Sequence, residues 1–424
     1  MKHSATTHTH PPNRQTLQVV LGLLLGIVAG ECLHLAFGGG EAAASHPGLS
    51  GVLNLLNGLT DVFMRLIKMI IAPLVFATLV VGMAGMGDGR AVGRVGGKAL
   101  LWFFSASLLS LLLGMVLVNL LAPGEALHLE LPAPDAATGL AQTRPSLQGF
   151  LAHVVPASIV EAMAKNEILQ IVVFSLFFGV ACAQLGELAR PMVRSLDSLS
   201  HIMLKMTSHV MHLAPIAVFA ALAAVIVKQG LGILVTYGRF IGEFYLGLFL
   251  LWCLLGLLGY LFLGRGMLSL LRHIQEPMWL AFGTASSEAA YPMLLRQLER
   301  FGCAERVCGL VLPLGYSFNL DGSMMYMTFA VLFIAQAYGI QMPLPDQLFM
   351  LLVLLFTSKG VAGVPRASLI VISATLAMFE IPEAGILLLL GVDQVLDMGR
   401  SATNVLGNSL ATAVVSRWEK ALKQ

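Results

Sequence analysis

The chain has 424 residues, of which 57% are hydrophobic and 11% charged, with a formal net charge of +2 and a mean hydropathy of +0.83. This composition excludes a soluble globular domain and predicts an all-α polytopic membrane protein embedded in the lipid bilayer. The small net charge gives no reason to expect a nucleic-acid partner. Five cysteines without CxxC spacing indicate neither a disulfide framework nor a zinc site.

Apolar runs long enough to cross about 30 Å of hydrocarbon follow one another through the first part of the chain. The N-terminal run is too long for the core of a signal peptide, so we interpret it as a retained first span. The predicted spans are 17–37, 52–84, 97–122, 167–187, 196–227 and 232–263. The chain therefore predicts six membrane-spanning helices before a second part with a different pattern.

Lysine and arginine in the short loops indicate the orientation of these spans. Basic residues precede the first span, follow the second, fourth and sixth, and recur at the C-terminus, whereas 38–50 contains none. This alternation predicts that both termini face the cytoplasm, and we expect the cell inner membrane as the location. The segment 123–166 is then a long outer loop.

Two small-residue turns interrupt the hydropathy after residue 263. The first, GTASSE, lies within 267–300, and the second, SKGVAGVP, lies within 345–380. Each half is too short to span the membrane alone, so each segment predicts a re-entrant helical hairpin whose tip needs protein or water around it. Two kinked ordinary spans are the alternative, but they would put the arginines after the first turn on the wrong side. Paired interruptions of this kind are typical of the inverted repeats of secondary transporters.

A polar turn, Asn319-Leu320-Asp321-Gly322, lies between the two hairpins within the apolar segment 307–335. A glycine beside an aspartate fits a local unwinding of the helix, which frees carbonyl oxygens. Hard cations prefer such oxygens together with a carboxylate. The turn predicts a cation site, and a purely structural turn is the alternative.

The last predicted helix carries a polar stripe in an otherwise apolar segment. Its members, at spacings of four, three, four and four, are Asp393, Asp397, Arg400, Asn404 and Asn408. These spacings place all five on one helix face. A charge in hydrocarbon costs several kcal/mol, so ionic side chains at this depth predict a substrate or ion site.

Together, the ordered motifs TASSE, NLDG, GVAGVP and DMGRxxxNxxGN resemble the dicarboxylate/amino acid:cation symporter family over essentially the whole chain. The resemblance implies eight transmembrane helices with two re-entrant hairpins, a homotrimer, and a mobile transport domain that moves like an elevator against a static scaffold. The implied organisation is scaffold helices one and two in 1–96, transport helix three in 97–122, the outer loop and scaffold helices four and five in 123–231, and the transport core in 232–424.

The resemblance also implies roles for individual residues. Arg400 would bind the side-chain carboxylate of the substrate, for which a guanidinium is suited, and Asp397 would take its α-amino group. The other positions that match substrate contacts are Ser286, Ser287, Val361, Ala362, Gly363, Ser401 and Asn404. The positions that match cation sites or their supporting network are Asn319, Asp321, Asp393, Asn404 and Asn408.

Departures from the family pattern bear on the coupling ion. Asn408 stands where sodium-coupled members have an aspartate, and Phe103 and Ala106 stand where they supply Tyr and Thr oxygens. Glu288 replaces a third serine of the first tip, and a low dielectric favours the protonated form of a carboxyl. We therefore expect Glu288 to carry a proton, while sodium could still bind at Asn319, Asp321 and Asn404. No resident cofactor is expected besides the co-transported proton or sodium.

Asp397 decides the expected substrate. An acid here would repel the second carboxylate of succinate, fumarate or malate and attract an amine, so the sequence favours glutamate or aspartate over C4-dicarboxylates. A structural pair between Asp397 and Arg400, one helical turn apart, is the alternative interpretation.

A secondary symporter explains the interrupted helices best. The sequence contains no GxxxxGK[ST] phosphate loop for an ATP-driven pump, and hairpins argue against a continuous channel pore as the main role. No Ser/His/Asp or HExxH pattern lies in a membrane segment, so an enzyme is not expected.

Overall fold

The structure, a computed structural model, describes residues 14–37, 47–84, 89–125, 154–231, 237–358, 367–390 and 392–423. Within these ranges the regular structure is helical, apart from one isolated antiparallel bridge between Cys303 and Leu422. The α-helices in chain order are α1 (Arg14–Phe37), α2 (Pro47–Ala84), α3 (Gly89–Leu121), α4 (Ile159–Lys165), α5 (Ile168–Leu185), α6 (Arg190–Val210), α7 (Ala214–Gln229), α8 (Gly238–Leu263), α9 (Gly266–Thr284), α10 (Ser287–Phe301), α11 (Glu305–Phe318), α12 (Asp321–Ala337), α13 (Leu344–Thr357), α14 (Ala367–Met378), α15 (Ile386–Leu390) and α16 (Asp393–Trp418).

Seven helical segments of the described chain are long and apolar enough to cross a membrane: Leu17–Phe37, Gly48–Ala84, Val92–Leu121, Ile168–Leu188, Arg190–Lys228, Gly238–Leu263 and Glu305–Ala337. The prediction of a polytopic all-α membrane protein is confirmed. Most of the predicted outer loop, at 126–153, lies outside the described residues.

The first group of helices packs around α2. This helix contacts α5, α6 and α7, and α1 lies along α7. Three glycines at four-residue spacing on α1, Gly22, Gly26 and Gly30, permit this contact. A Cβ atom at Gly26 would lie only 2.7 Å from the Phe219 carbonyl oxygen of α7. Small residues at this spacing allow two helix backbones to approach closely in a membrane.

The second group of helices surrounds α16, which is buried along most of its length. Helices α3, α8, α9, α10, α11 and α12 all contact it. The two groups meet where α11 contacts α2, and where α1 and α7 contact α9. The polar stripe of α16 therefore lies inside protein and not against lipid.

Both predicted hairpins correspond to paired helices. Helices α9 and α10 pack on each other across a turn at Ala285, whose φ of 49° lies in the left-handed region. Helices α13 and α14 have 14 and 12 residues and also pack together. At 1.5 Å per residue each is roughly 20 Å long, too short to cross about 30 Å of hydrocarbon. Residues 359–366, which contain the second predicted tip, lie outside the described residues.

The C-terminal residues after α16 tie three elements together. Glu419 forms ion pairs with Arg94 of α3 at 2.9 Å and with Lys98 at 2.6 Å, and its side chain is only 7% exposed. The backbone N–H of Ala304 donates to the Ala421 carbonyl at 2.9 Å. The end of α16 is thereby fixed to both α3 and the α10–α11 connection.

We expect Glu419→Gln to lower the stability of the detergent-purified protein by about 1–2 kcal/mol, because two cations lose their charged partner. The hydrogen bonds from Arg94 and then Lys98 hold the pKa of Glu419 below its usual value of 4.5. A lowered pKa contributes stability above that value, and the contribution is lost as the pH falls below it. The apparent Tm of the wild type should therefore drop more steeply below pH 4.5 than that of the variant.

Glu161→Gln provides the matched control for this measurement. Glu161 also pairs with a lysine, Lys165, at 2.7 Å, but both side chains are more than half exposed. We expect this change to leave the apparent Tm unaltered, as is usual for exposed pairs. An equal loss of apparent Tm in Glu419→Gln and Glu161→Gln would contradict the stabilising role proposed for the buried pairs of Glu419.

Candidate functional site

The helix is interrupted between α11 and α12, at the turn predicted from the sequence. Asn319 and Leu320 leave the helical conformation, with φ, ψ of −125°, 70° and −106°, 66°. The side-chain oxygen of Asn404, on α16, accepts hydrogen bonds from the backbone N–H groups of Gly322 at 2.9 Å and Ser323 at 3.4 Å. Asn404 thus supplies acceptors for the first N–H groups of α12, which have none within the helix. Its Nδ2 donates to the Ser323 hydroxyl at 3.2 Å.

A buried polar cluster lies beside this interruption. Asn319 Nδ2 donates to Asp321 Oδ2 at 3.0 Å and to Asn408 Oδ1 at 3.4 Å. Within the described chain, the oxygen of the same amide, Asn319 Oδ1, is buried and has no hydrogen-bond partner. A Cβ atom at Gly407 would collide with the Asp321 carboxylate, so α16 needs a glycine there for the cluster to form. A buried carboxylate and a free amide oxygen are ligand types that suit a hard cation.

Arg400 lies at the centre of a second buried cluster, and its side chain is only 3% exposed. Its Nη2 atom lies 3.3 Å from Asp393 Oδ1 and 2.9 Å from Asp397 Oδ1. The guanidinium carbon lies 4.0 Å from the centroid of the Tyr326 ring, and the Tyr326 hydroxyl donates to Asp393 Oδ1 at 3.0 Å. Such pairing offsets the desolvation of a buried cation. Asp397 is the more accessible acid, with 34% of its side chain exposed.

The residues of the first predicted tip lie at the start of α10. Ser286 is the N-cap, and its hydroxyl accepts from the Ala289 N–H at 3.3 Å. The Ser287 carbonyl accepts from the Tyr316 hydroxyl of α11 at 3.0 Å. Glu288 follows in the first turn of α10 and is partly buried. Acidic residues are favourable at such a helix start.

The structure brings predicted site residues together in two clusters, and Asp393, which the sequence assigned to the cation sites or their supporting network, lies instead beside Arg400. Asp393, Asp397 and Arg400 form one cluster, while Asn319, Asp321 and Asn408 form the other. Ser401, directly after Arg400 in α16, is also buried. Val361, Ala362 and Gly363 lie outside the described residues. The transport roles of all these residues remain predictions.

Two site residues were missed by the sequence analysis. Tyr326 packs on Arg400, and the Ser110 hydroxyl of α3 lies 3.5 Å from Asp321 Oδ1. Both lie inside apolar helices, where a serine hydroxyl is usually satisfied by the carbonyl one turn earlier, as that of Ser110 is by Ala106. A tyrosine in a fully buried segment was the available signal, because its hydroxyl needs a partner there.

The comparisons with known proteins agree on one family. The model of the sodium:dicarboxylate symporter family matches residues 16–418. A relative from Rhodospirillum rubrum is 41% identical over 410 residues, which cover 95% of this chain and 88% of the relative. One from Rhizobium johnstonii is 44% identical over 374 residues, covering 87% and 84%, and one from Acinetobacter baylyi is 41% identical over 412 residues, covering 96% and 91%. Each of the three is named "C4-dicarboxylate transport protein".

These names contradict the expectation that glutamate or aspartate is the substrate. That expectation depended on Asp397 as a partner for an amine. In the structure Asp397 pairs with Arg400 at 2.9 Å, so the acid has a partner without any substrate amine. An aspartate three residues before an arginine fits both an amine-binding group and a partner for that arginine. The sequence interpretation chose the amine-binding group, which led to the wrong substrate.

Proposed function

Because the chain belongs to the sodium:dicarboxylate symporter family, we propose that it is a secondary symporter that imports C4-dicarboxylates such as succinate, fumarate and malate, driven by a cation gradient. The observation that carries this proposal is Arg400, a buried guanidinium within a chain that is 41–44% identical to named C4-dicarboxylate transporters. A guanidinium binds a carboxylate through two parallel hydrogen bonds.

Substrate binding then becomes an exchange of partners at Arg400. One substrate carboxylate takes the place of Asp397, which is the more exposed of the two acids that pair with the arginine. Asp393 stays in place, since it also accepts the hydrogen bond from Tyr326. The second carboxylate is held by Ser286 and Ser287 of the first hairpin tip, and the family resemblance assigns the same role to Val361, Ala362 and Gly363.

Coupling to cations offsets the two charges of the substrate during its passage through a low-dielectric region. Glu288 carries a proton at the first tip. Asn319 and Asp321 bind sodium beside the interruption between α11 and α12, and Asn404 holds that turn in place. Either ion, or both, lowers the free-energy cost of moving the substrate-loaded site through this region.

The movement is that of an elevator within a homotrimer in the cell inner membrane. The helices that pack around α2 are the static scaffold, and those that surround α16 are the transport domain. The exposed apolar side chains of α2, such as Leu55 and Val62, suit contact with lipid or another subunit. Both termini face the cytoplasm, as the basic residues of the loops indicate.

Uptake of labelled succinate by proteoliposomes tests this function. Proton and sodium gradients are imposed separately, and protein-free liposomes serve as the control. We expect accumulation above equilibrium with an inward gradient of at least one cation, and competition by fumarate and malate. Accumulation of aspartate without uptake of any C4-dicarboxylate would overturn the proposal.

We expect Asp397→Asn to lower the KM for succinate by roughly three- to tenfold. The change removes a negative charge that competes with substrate for Arg400, and Asp393 still offsets the arginine. Initial uptake rates across a range of succinate concentrations provide the measurement.

Asp61→Asn is the control, because Asp61 lies in an exposed pair with Arg65 at 4.0 Å. It should leave the KM unchanged. A KM that rises in Asp397→Asn would show that Asp397 serves mainly to hold the arginine in position.

A further inference from the structure

Thr403 lies on α16 three residues after Arg400, and its side chain is fully buried. Its hydroxyl donates to the Gly399 carbonyl, one helical turn earlier, at 2.8 Å. The same oxygen accepts a hydrogen bond from the indole N–H of Trp252, on α8, at 2.7 Å. An indole can only donate, so the hydroxyl of Thr403 provides the acceptor that this N–H needs between two apolar helices.

A second polar contact joins the same two helices. Tyr245 lies seven residues before Trp252 on α8, so the two side chains share a face of that helix. The Tyr245 hydroxyl donates to the Val395 carbonyl of α16 at 2.7 Å. Val395 and Thr403 flank Arg400 in the sequence, so the two contacts hold α16 both before and after the arginine.

The surface between these two contacts is closely packed. A Cβ atom at Gly399 would lie 2.6 Å from Leu248 Cδ1 of α8 and 3.1 Å from the Tyr245 ring. A Cβ atom at Gly322, at the start of α12, would lie 2.5 Å from the Arg400 carbonyl oxygen. The backbone that carries Arg400 is thus in close contact with both α8 and α12.

The guanidinium of Arg400 depends on this backbone for its direction. Its Nη2 atom pairs with Asp393 and Asp397, while its Nε atom is buried and has no hydrogen-bond partner in the described chain. Both acids lie on α16 and turn with the arginine when that helix turns about its axis. Contacts with other helices must therefore fix its direction: the Tyr326 ring of α12 touches the guanidinium, and α8 holds the helix that carries it.

We propose that Trp252, through Thr403, is a positioning residue that sets the rotation of α16 and thereby directs Arg400 toward the substrate carboxylate. This inference rests on the proposed function and adds α8 to the elements that build the substrate site. The indole acts through α16 and not by contact with the substrate. Without its hydrogen bond, α16 populates the binding orientation less, and the apparent affinity falls by that fraction.

A purely structural role is the competing explanation, because threonine commonly donates to the carbonyl four residues earlier in a helix. Such a role predicts a lower apparent Tm with an unchanged KM. Thr207 of α6 is equally buried and makes the same bond, to the Met203 carbonyl at 3.0 Å. Thr207→Val therefore removes the same helical hydrogen bond within the first group of helices, and it is the matched control for Thr403→Val.

Initial rates of succinate uptake by proteoliposomes test the inference, together with the apparent Tm in detergent. We expect Trp252→Phe, which keeps a ring and loses the N–H, to raise the KM about three- to fivefold while the maximal rate stays within about twofold. Thr403→Val should have the same effect, whereas Thr403→Ser, which keeps the hydroxyl, should retain the KM of the wild type. Trp279→Phe, which changes an indole that is 41% exposed, and Thr207→Val should also match the wild type.

Double variants separate positioning from packing. Adding Trp252→Phe to Thr403→Val should raise the KM no further, because the two residues form one hydrogen bond. Trp252→Phe should also have little effect on the KM of Arg400→Lys, in which the geometry of the guanidinium is already lost.

An unchanged KM in Trp252→Phe, or equal increases in the wild-type and Arg400→Lys backgrounds, would overturn the inference. If Trp252→Phe does not yield monodisperse protein, Thr403→Val against Thr403→Ser makes the same test. If the wild type takes up aspartate and no C4-dicarboxylate, the proposed substrate fails, and the KM for aspartate decides the role of Trp252 by the same comparison.

Discussion

Arg400→Ala is expected to abolish accumulation of C4-dicarboxylates. Without the guanidinium, the substrate carboxylate enters a buried site beside Asp393 and Asp397 with no cation to offset its desolvation. Removing one partner from a buried charged group costs about 3–5 kcal/mol, equivalent to more than a hundredfold in affinity. Succinate uptake in proteoliposomes, together with equilibrium binding in detergent, measures the loss.

Two further variants separate a binding defect from a folding defect. Arg400→Lys keeps the charge but loses the two-pronged geometry, so we expect partial recovery of binding with a raised KM. Arg190→Ala removes an arginine whose pair with Glu187 is exposed, and it should transport as the wild type does. Wild-type affinity in Arg400→Ala, with monodisperse protein, would refute the role of Arg400.

Glu288→Gln is expected to eliminate proton-driven accumulation of succinate while leaving exchange of internal for external substrate. Exchange needs no net release of a proton, whereas accumulation does. Glutamine mimics the protonated carboxyl in shape and removes only its titration. The measurement compares uptake driven by an inward proton gradient with counterflow in the same vesicles.

The two proposed ion sites predict different outcomes for this variant. Sodium-driven uptake should survive in Glu288→Gln, because Asp321 and Asn319 are unaltered. Glu187→Gln, which changes an exposed glutamate, is the control and should retain both modes. Proton-driven accumulation that persists in Glu288→Gln would refute the assignment of Glu288 as the proton carrier.

Much of the fold follows from hydropathy alone, because a run of twenty apolar residues has few alternatives to a membrane helix. The boundaries were harder to predict. The predicted fifth span, 196–227, lies within one helical segment, Arg190–Lys228, in which a 3₁₀ turn separates Arg190–Val210 from Ala214–Gln229. Pro215, at the start of the second, was a signal of the break, since proline lacks an N–H and is favoured in the first turn of a helix.

The site shows where sequence reasoning ends. The stripe on α16 was predictable, because its spacing is a property of one helix. The partners of that stripe, Tyr326 and Ser110, come from α12 and α3, and contacts between distant segments leave no local periodicity. The substrate prediction drawn from Asp397 was wrong for a different reason. An acid three residues before an arginine fits both an internal ion pair and an amine-binding group, and residue types alone do not select between them.

The burial of α16 has a consequence for how the protein is made. Helix α16 carries Asp393, Asp397 and Arg400 in its first eight residues and is not among the described segments that are long and apolar enough to cross a membrane. A charge that lies at the centre of a helix costs about 2.5–3.5 kcal/mol during insertion from the translocon, and Arg400 is the one of the three that lies nearest the centre of α16. Every helix that covers α16 precedes it in the chain, so its partners have already left the ribosome when it emerges. Helix α16, which is poorly suited to lipid, thus emerges when a protein surface is already present to receive it. A chain truncated before residue 393 would leave that surface open to the quality-control proteases of the membrane.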